Sequence, residues 1–192
     1  ELSALIRNKQ ATAVELTRCY LDRIQTHNPT LHAIVIDNQA AALRTAEKLD
    51  RELQAGTLRG SLHGVPVTVK EAFNIAGLKT TVNFPPLKNN VAWADARVVR
   101  ALGSAGACVL GKTNVPTLLA DVQTFGPLYP TANNPYDVSR TPGGSTGGGQ
   151  LKFQDKTYDF KITGLSAGVN VGVTKVEAAG FVYDLKDIAK FP

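Results

Sequence analysis

The chain has 192 residues, a hydrophobic fraction of 43% and a net charge of +5. That suits one ordinary globular domain, or an incomplete larger one, and excludes wholesale disorder. Its cations are scattered and do not interleave with aromatics, so they read as a solvated surface rather than a nucleic-acid footprint. No apolar run approaches a membrane span and no signal peptide opens the chain.

In chain order, Leu2, Leu5 and Ile6 predict a brief amphipathic helix. Thr12-Ala13-Val14-Glu15 has the form of a capping box, in which a hydroxyl and a carboxylate satisfy free amides at a helix start. Val14, Leu16, Tyr20, Leu21 and Ile24 keep roughly helical spacing up to Asn28-Pro29, where the helix is expected to stop. His32 to Ile36 is β-rich, and Asn38 opens an alanine-rich helix ending near Gly56. Val65 to Lys70 reads as a buried strand leading into a loop. Ala94 to Ala105 is expected to be helical, Ala107 to Leu110 a short buried strand, and Val115 to Val122 a helix with Pro116 in its first turn.

A long irregular stretch rich in Pro, Asn and Gly runs from Thr124 to Gly149, and loops of that length commonly carry function. After Gly149 the texture changes. Leu151, Phe153, Tyr158, Phe160 and Ile162 alternate within their segments, with Gln154-Asp155-Lys156 as a turn. Every arginine lies before Gly149. These breaks divide the chain into residues 1–149 and a β-rich segment, 150–192, of separate origin.

Cys19 and Cys108 read as small buried hydrophobes, which asks for no oxidising compartment and favours a cytoplasmic setting. The sequence holds no methionine, so it reads as something other than a complete primary translation product, with room for a leader before Glu1. His27, His32 and His63 are dispersed and no cluster has metal-ligand spacing, so no metal and no cofactor is expected.

Two features bear on chemistry. Gly143-Gly144-Ser145-Thr146 lies in a glycine-dense loop that lets the backbone approach a ligand closely. Lys70 ends an apolar strand, where desolvation would let an amine act as a base. A lysine and a bridging hydroxyl are what a serine hydrolase without histidine requires. A rival lies in Gly106-Ala107-Cys108-Val109-Leu110-Gly111-Lys112-Thr113, which satisfies the phosphate-loop pattern. That loop needs a preceding strand and a helix starting at the lysine, whereas here a helix is expected before Gly106 and strand-forming residues after it. Lys112 reads instead as a strand-end lysine near the floor of a site.

The segments Leu62 to Glu71, Gly77 to Thr81, Ala94 to Val99, Ala105 to Asn114, Asn133 to Asp137 and Arg140 to Ser145 follow one another in an order that resembles the amidase signature family. The resemblance covers residues 1–149. It implies an α/β fold, a mixed sheet with helices on both faces, here incomplete. It further implies hydrolysis of carboxamides by a Ser–Ser–Lys triad without a cofactor, acting on a small-molecule amide. By motif, Lys70 resembles the family's base and Ser145 its bridging serine, with Gly143, Gly144 and Thr146 beside the substrate. The family's nucleophile lies in a Gly-Thr-Asp-x-Gly-Gly-Ser-Ile-Arg-like segment that also forms its oxyanion hole. Nothing after Gly149 matches it. Ser166, the only serine beyond Ser145, sits in Thr163-Gly164-Leu165-Ser166-Ala167-Gly168, without the acidic residue or the Ile-Arg. The expectation is an amidase-type chain inactive for want of its nucleophile; the alternative is a truncated or fused non-catalytic protein whose β-rich segment has a binding role. Oligomeric state is not readable.

Overall fold

The computed structural model describes residues 2–121, 123–140, 142, 147–153 and 156–162. Two compact units divide the chain, Glu1–Gly143 and Gly144–Pro192. In the second unit, β4 (Gly147–Phe153) pairs antiparallel with β5 (Lys156–Ile162), in a register running from Gly147 opposite Ile162 to Phe153 opposite Lys156. The rest of the β-rich reading of 150–192 lies outside the described residues.

The first unit opens with α1 (Leu2–Arg7) and α2 (Ala13–Leu31). Thr12 caps α2 as its sequence requires: its hydroxyl accepts from Glu15 N, and the Glu15 carboxylate accepts from Thr12 N at 2.8 Å. A second cap comes from α3 (Gln39–Gln54), whose Asp50 carboxylate accepts from Ala13 N at 2.7 Å and Val14 N at 3.0 Å. A negative charge there also opposes the positive end of the helix dipole.

Contrary to the sequence expectation, α2 runs through Pro29 and ends only at His32, in the left-handed region at φ 50°. Proline falls in the last turn, where it removes one hydrogen bond. Tertiary bonds offset that loss: Ile34 N donates to Asn28 Oδ1 at 2.7 Å and Asn28 Nδ2 to Ile34 O at 2.9 Å. These two bonds fasten the helix end to β1 (Ile34–Asp37).

The sheet is mixed, in the order β1-β3-β2. β2 (Pro66–Lys70) runs parallel to β3 (Cys108–Thr113), and β1 runs antiparallel to β3. Helices α2 and α3 pack on the strands: Ala13, Ala46 and Leu49 enclose Cys108, while Leu21 and Ala42 enclose Leu110. Val67 pairs with Val109 but Thr68 with Gly111, so Leu110 is an extra residue in β3. Such a bulge re-aims the side chains that follow it. Strict alternation from Cys108 and Leu110 would return Lys112 to the helix-covered face; it reaches instead to Lys79 and Thr80.

Three further expectations are corrected. The helix expected over 94–105 is shorter, α4 being Arg97–Ser104. Asp95 is committed elsewhere, accepting from Ala76 N at 2.7 Å, and Ala96 N donates to Asn74 O. Among the described residues no α-helix forms over 115–122; residues Thr117–Leu119 make one irregular turn with Leu118 at φ 53° and Leu119 at φ 60°. Leu118 N donates to Val82 O at 2.8 Å, a bond that lies outside any helix. Cys108 is buried as expected, but Cys19 is exposed on α2.

Candidate functional site

In open α/β sheets, ligands bind beyond the carboxyl ends of parallel strands. Here that edge is the end of β2 at Lys70 and of β3 at Thr113, which lie directly opposite each other. Two segments continue from it, residues 71–83 and 114–119, and they are tied together. Asn83 Nδ2 donates to Val115 O at 2.9 Å, Thr117 Oγ1 to Asn83 O at 3.2 Å, and Leu118 N to Val82 O. Val82 and Asn83 sit at φ 46° and 53°, so left-handed residues line both segments. For a β-branched valine this conformation costs on the order of 1–3 kcal/mol and persists only where surrounding bonds impose it.

Lys70 is exposed. The sequence expectation of a buried strand holds for Val69 alone, because alternate side chains of β2 face solvent. The next residue turns inward: Glu71 is 0% exposed. Its carboxylate accepts from Thr81 N at 2.6 Å, from Val82 N at 2.9 Å and from the Tyr129 hydroxyl at 3.2 Å. Burial and the adjacent carboxylate raise the affinity of the Tyr129 phenol for its proton, against a lowering bond to Thr81. The Thr81 and Tyr129 hydroxyls lie 2.9 Å apart.

The desolvated lysine of this edge is Lys112, also 0% exposed. Its Nζ donates to Lys79 O at 2.5 Å and to Thr80 Oγ1 at 2.8 Å. Burial lowers its pKa to about 8, with the Glu71 charge opposing the shift. Lys112 and Thr113 belong to β3, preceded by α4 and followed by irregular chain. The bare amides of a helix start that a phosphate loop would need are not at this lysine.

Of the residues expected to act, the structure places Lys70. Gly143, Gly144, Ser145 and Thr146 lie outside the described residues, as does Ser166. Sequence reasoning gave no role to Glu71, Thr81, Asn83 or Tyr129. One signal was present: alternation through Val67 and Val69 puts Glu71 on the buried side, where a carboxylate demands donors. Among the described residues, no group of three or more His, Cys, Asp or Glu could hold a metal ion, and no helix is long and apolar enough to cross a membrane.

The described residues form a mixed α/β domain with Lys70 at the carboxyl end of its parallel strand pair. The profile of the family described as Amidase matches residues 15–149. Fatty-acid amide hydrolase 2-A of Danio rerio is 40% identical over 155 residues, covering 77% of this chain and 29% of that relative. Indoleacetamide hydrolase of Bradyrhizobium diazoefficiens is 40% identical over 148 residues, covering 77% and 28%. The native peptide amidase of Stenotrophomonas maltophilia superposes at a TM-score of 0.68 with 33% identity, covering 75% of this chain and 31% of that one. The chain belongs to the amidase family. It spans less than a third of the length of these relatives.

Proposed function

We propose that this chain is the lysine-bearing part of a hydrolase of carbon–nitrogen bonds in small carboxamides, working by a Ser–Ser–Lys mechanism. Lys70 is the proton acceptor and Ser145 the relay between it and an attacking hydroxyl, while Gly143, Gly144 and Thr146 contact the amide. The observation that carries this reading is the position of Lys70, exposed at the carboxyl end of β2 within a family match that continues to residue 149. A base must exchange protons with a second side chain, and an exposed amine at a strand end is open to one.

These 192 residues contain no Gly-Thr-Asp-x-Gly-Gly-Ser-Ile-Arg-like segment. On this reading they hold an amide near Lys70 without forming an acyl-enzyme. The test is titration of the purified chain with benzamide, followed by backbone amide resonances, alongside exposure to a fluorophosphonate probe. Shifts at Lys70 and at Gly143 to Thr146, lost in Lys70→Ala, with no covalent label, are expected. Steady ammonia release abolished by Ser166→Ala would overturn the missing nucleophile; benzamide shifts indifferent to Lys70→Ala would overturn the role of Lys70.

A further inference from the structure

The buried polar groups of the edge converge on one turn, residues 79–83. Lys112 holds its start through Lys79 O and Thr80 Oγ1. Glu71 holds its middle through the amides of Thr81 and Val82. Glu71 is itself fixed at the backbone, its N–H donating to Thr113 O at 3.0 Å, and Phe73 N donates to Lys70 O at 3.0 Å just beyond it. One residue thus joins three pieces: the end of β2, the end of β3 and the left-handed Val82.

We infer that Glu71 is the positioning residue for Lys70, a statement that rests on the reading of Lys70 as the base. Successive side chains of an extended segment leave opposite faces. With the Glu71 carboxylate locked inward by two amides and a phenol, the Lys70 side chain is committed to the outward face. Val69 on the inward side is 5% exposed, in keeping with this alternation. A slip or twist at this junction would exchange the two faces and place the ammonium where the carboxylate is. The carboxylate suits this task because it is acceptor-only, and all three of its partners are donors. A glutamine of the same shape would set an NH2 donor against an amide N–H.

The test compares amide hydrogen exchange in the full chain with that of Glu71→Gln. Exchange at Glu71, Phe73, Thr81 and Val82 is expected to rise about tenfold or more, as loss of charge-assisted bonds opens the segment, while α2 and α3 stay protected. Acylation of Lys70 by an N-hydroxysuccinimide ester, relative to Lys79 and Lys88 in the same molecules, is expected to change. Glu71→Asp, which keeps an acceptor, should restore part of the protection. Should Glu71→Gln fail to fold, Tyr129→Phe removes one partner alone and should raise exchange at Glu71 about threefold.

Faster exchange confined to Thr81 and Val82, with Glu71, Phe73 and Lys70 acylation unchanged, would overturn the inference and leave Glu71 as a brace of the turn. Benzamide separates this outcome from failure of the parent reading. If benzamide does not perturb Lys70 in the unmodified chain, the role of Lys70 falls, whatever Glu71 does. If it perturbs Lys70 equally in Glu71→Gln, positioning by Glu71 falls and the parent reading stands.

Discussion

Lys112 gives the chain a pH dependence of stability opposite in sign to ordinary alkaline unfolding. Burial lowers its pKa from 10.5 to about 8. Holding the charged form in the fold therefore costs about 3 kcal/mol relative to the unfolded chain. Below about pH 8 both states carry the proton and the cost is present in full. Between about 8 and 10.5 the unfolded chain still binds a proton that the folded chain has released, so stability climbs with pH. From about pH 7.5 to about pH 9 the gain is about 1 kcal/mol, or a rise of about 2–4 °C in Tm for a chain of this size. The released form still suits its site, since a neutral amine has two N–H groups and meets two acceptors, Lys79 O and Thr80 Oγ1.

The rise levels off above about pH 9 because Cys108 acts in the other direction. Burial raises its thiol from 9.0 to about 11, so above the lower value the unfolded chain loses a proton that the folded chain keeps, and this loss offsets the gain from Lys112 up to about pH 10.5. Calorimetric melts of the unmodified chain and of Lys112→Met between these pH values test the account. A rise in the former and a flat profile in the latter are expected. An equal rise in Lys112→Met would refute the assignment, as would a fall in the unmodified chain over the same interval.

Other substitutions probe separate parts of the framework. Gly106 lies at φ +89° with its absent Cβ 2.7 Å from His63 Cα, so Gly106→Ala should cost at least about 2 kcal/mol, read by urea midpoint. Asp50→Ala strips two amides of α2 of their acceptor and should cost about 1–2 kcal/mol, whereas Thr12→Ala at the exposed cap should cost about 1 kcal/mol; equal and negligible losses would refute the double cap. Cys108→Ala should let the rise continue from about pH 9 to about 10.5, where the unmodified chain levels off; a levelling that persists in Cys108→Ala would locate its cause elsewhere.

What could be read from the sequence was what the chain decides locally. The Thr12 box, the alanine-rich α3 and the strand around Cys108 follow from spacing and propensity within a few residues. The misreadings have distant causes. Pro29 does not end α2 because the bonds between Asn28 and Ile34, which join residues six apart, hold the last turn. Val115, Leu118 and Leu119 have helical spacing, but Val115 O is taken by Asn83 and Leu118 N by Val82 O. Sequence singles out Lys70 by its motif and misjudges its surroundings, since Val67 and Val69 mark one buried face of the strand and Lys70 lies on the other.

The two lysines of the edge divide what the sequence expectation assigned to one. Desolvation belongs to Lys112, and its bonds commit it: both acceptors are contributed by the turn it holds, at Lys79 and Thr80. An amine so enclosed supports geometry, and its reduced proton affinity follows from burial. Lys70 has the complementary properties, exposed and at the end of its strand, with its aim set by the residue that follows. On the proposed reading, a base that must take a proton from a neighbouring hydroxyl cannot be walled in by its own fold. The Lys70-Glu71 pair meets that condition with one side chain turned out to exchange protons and the other turned in to keep it there.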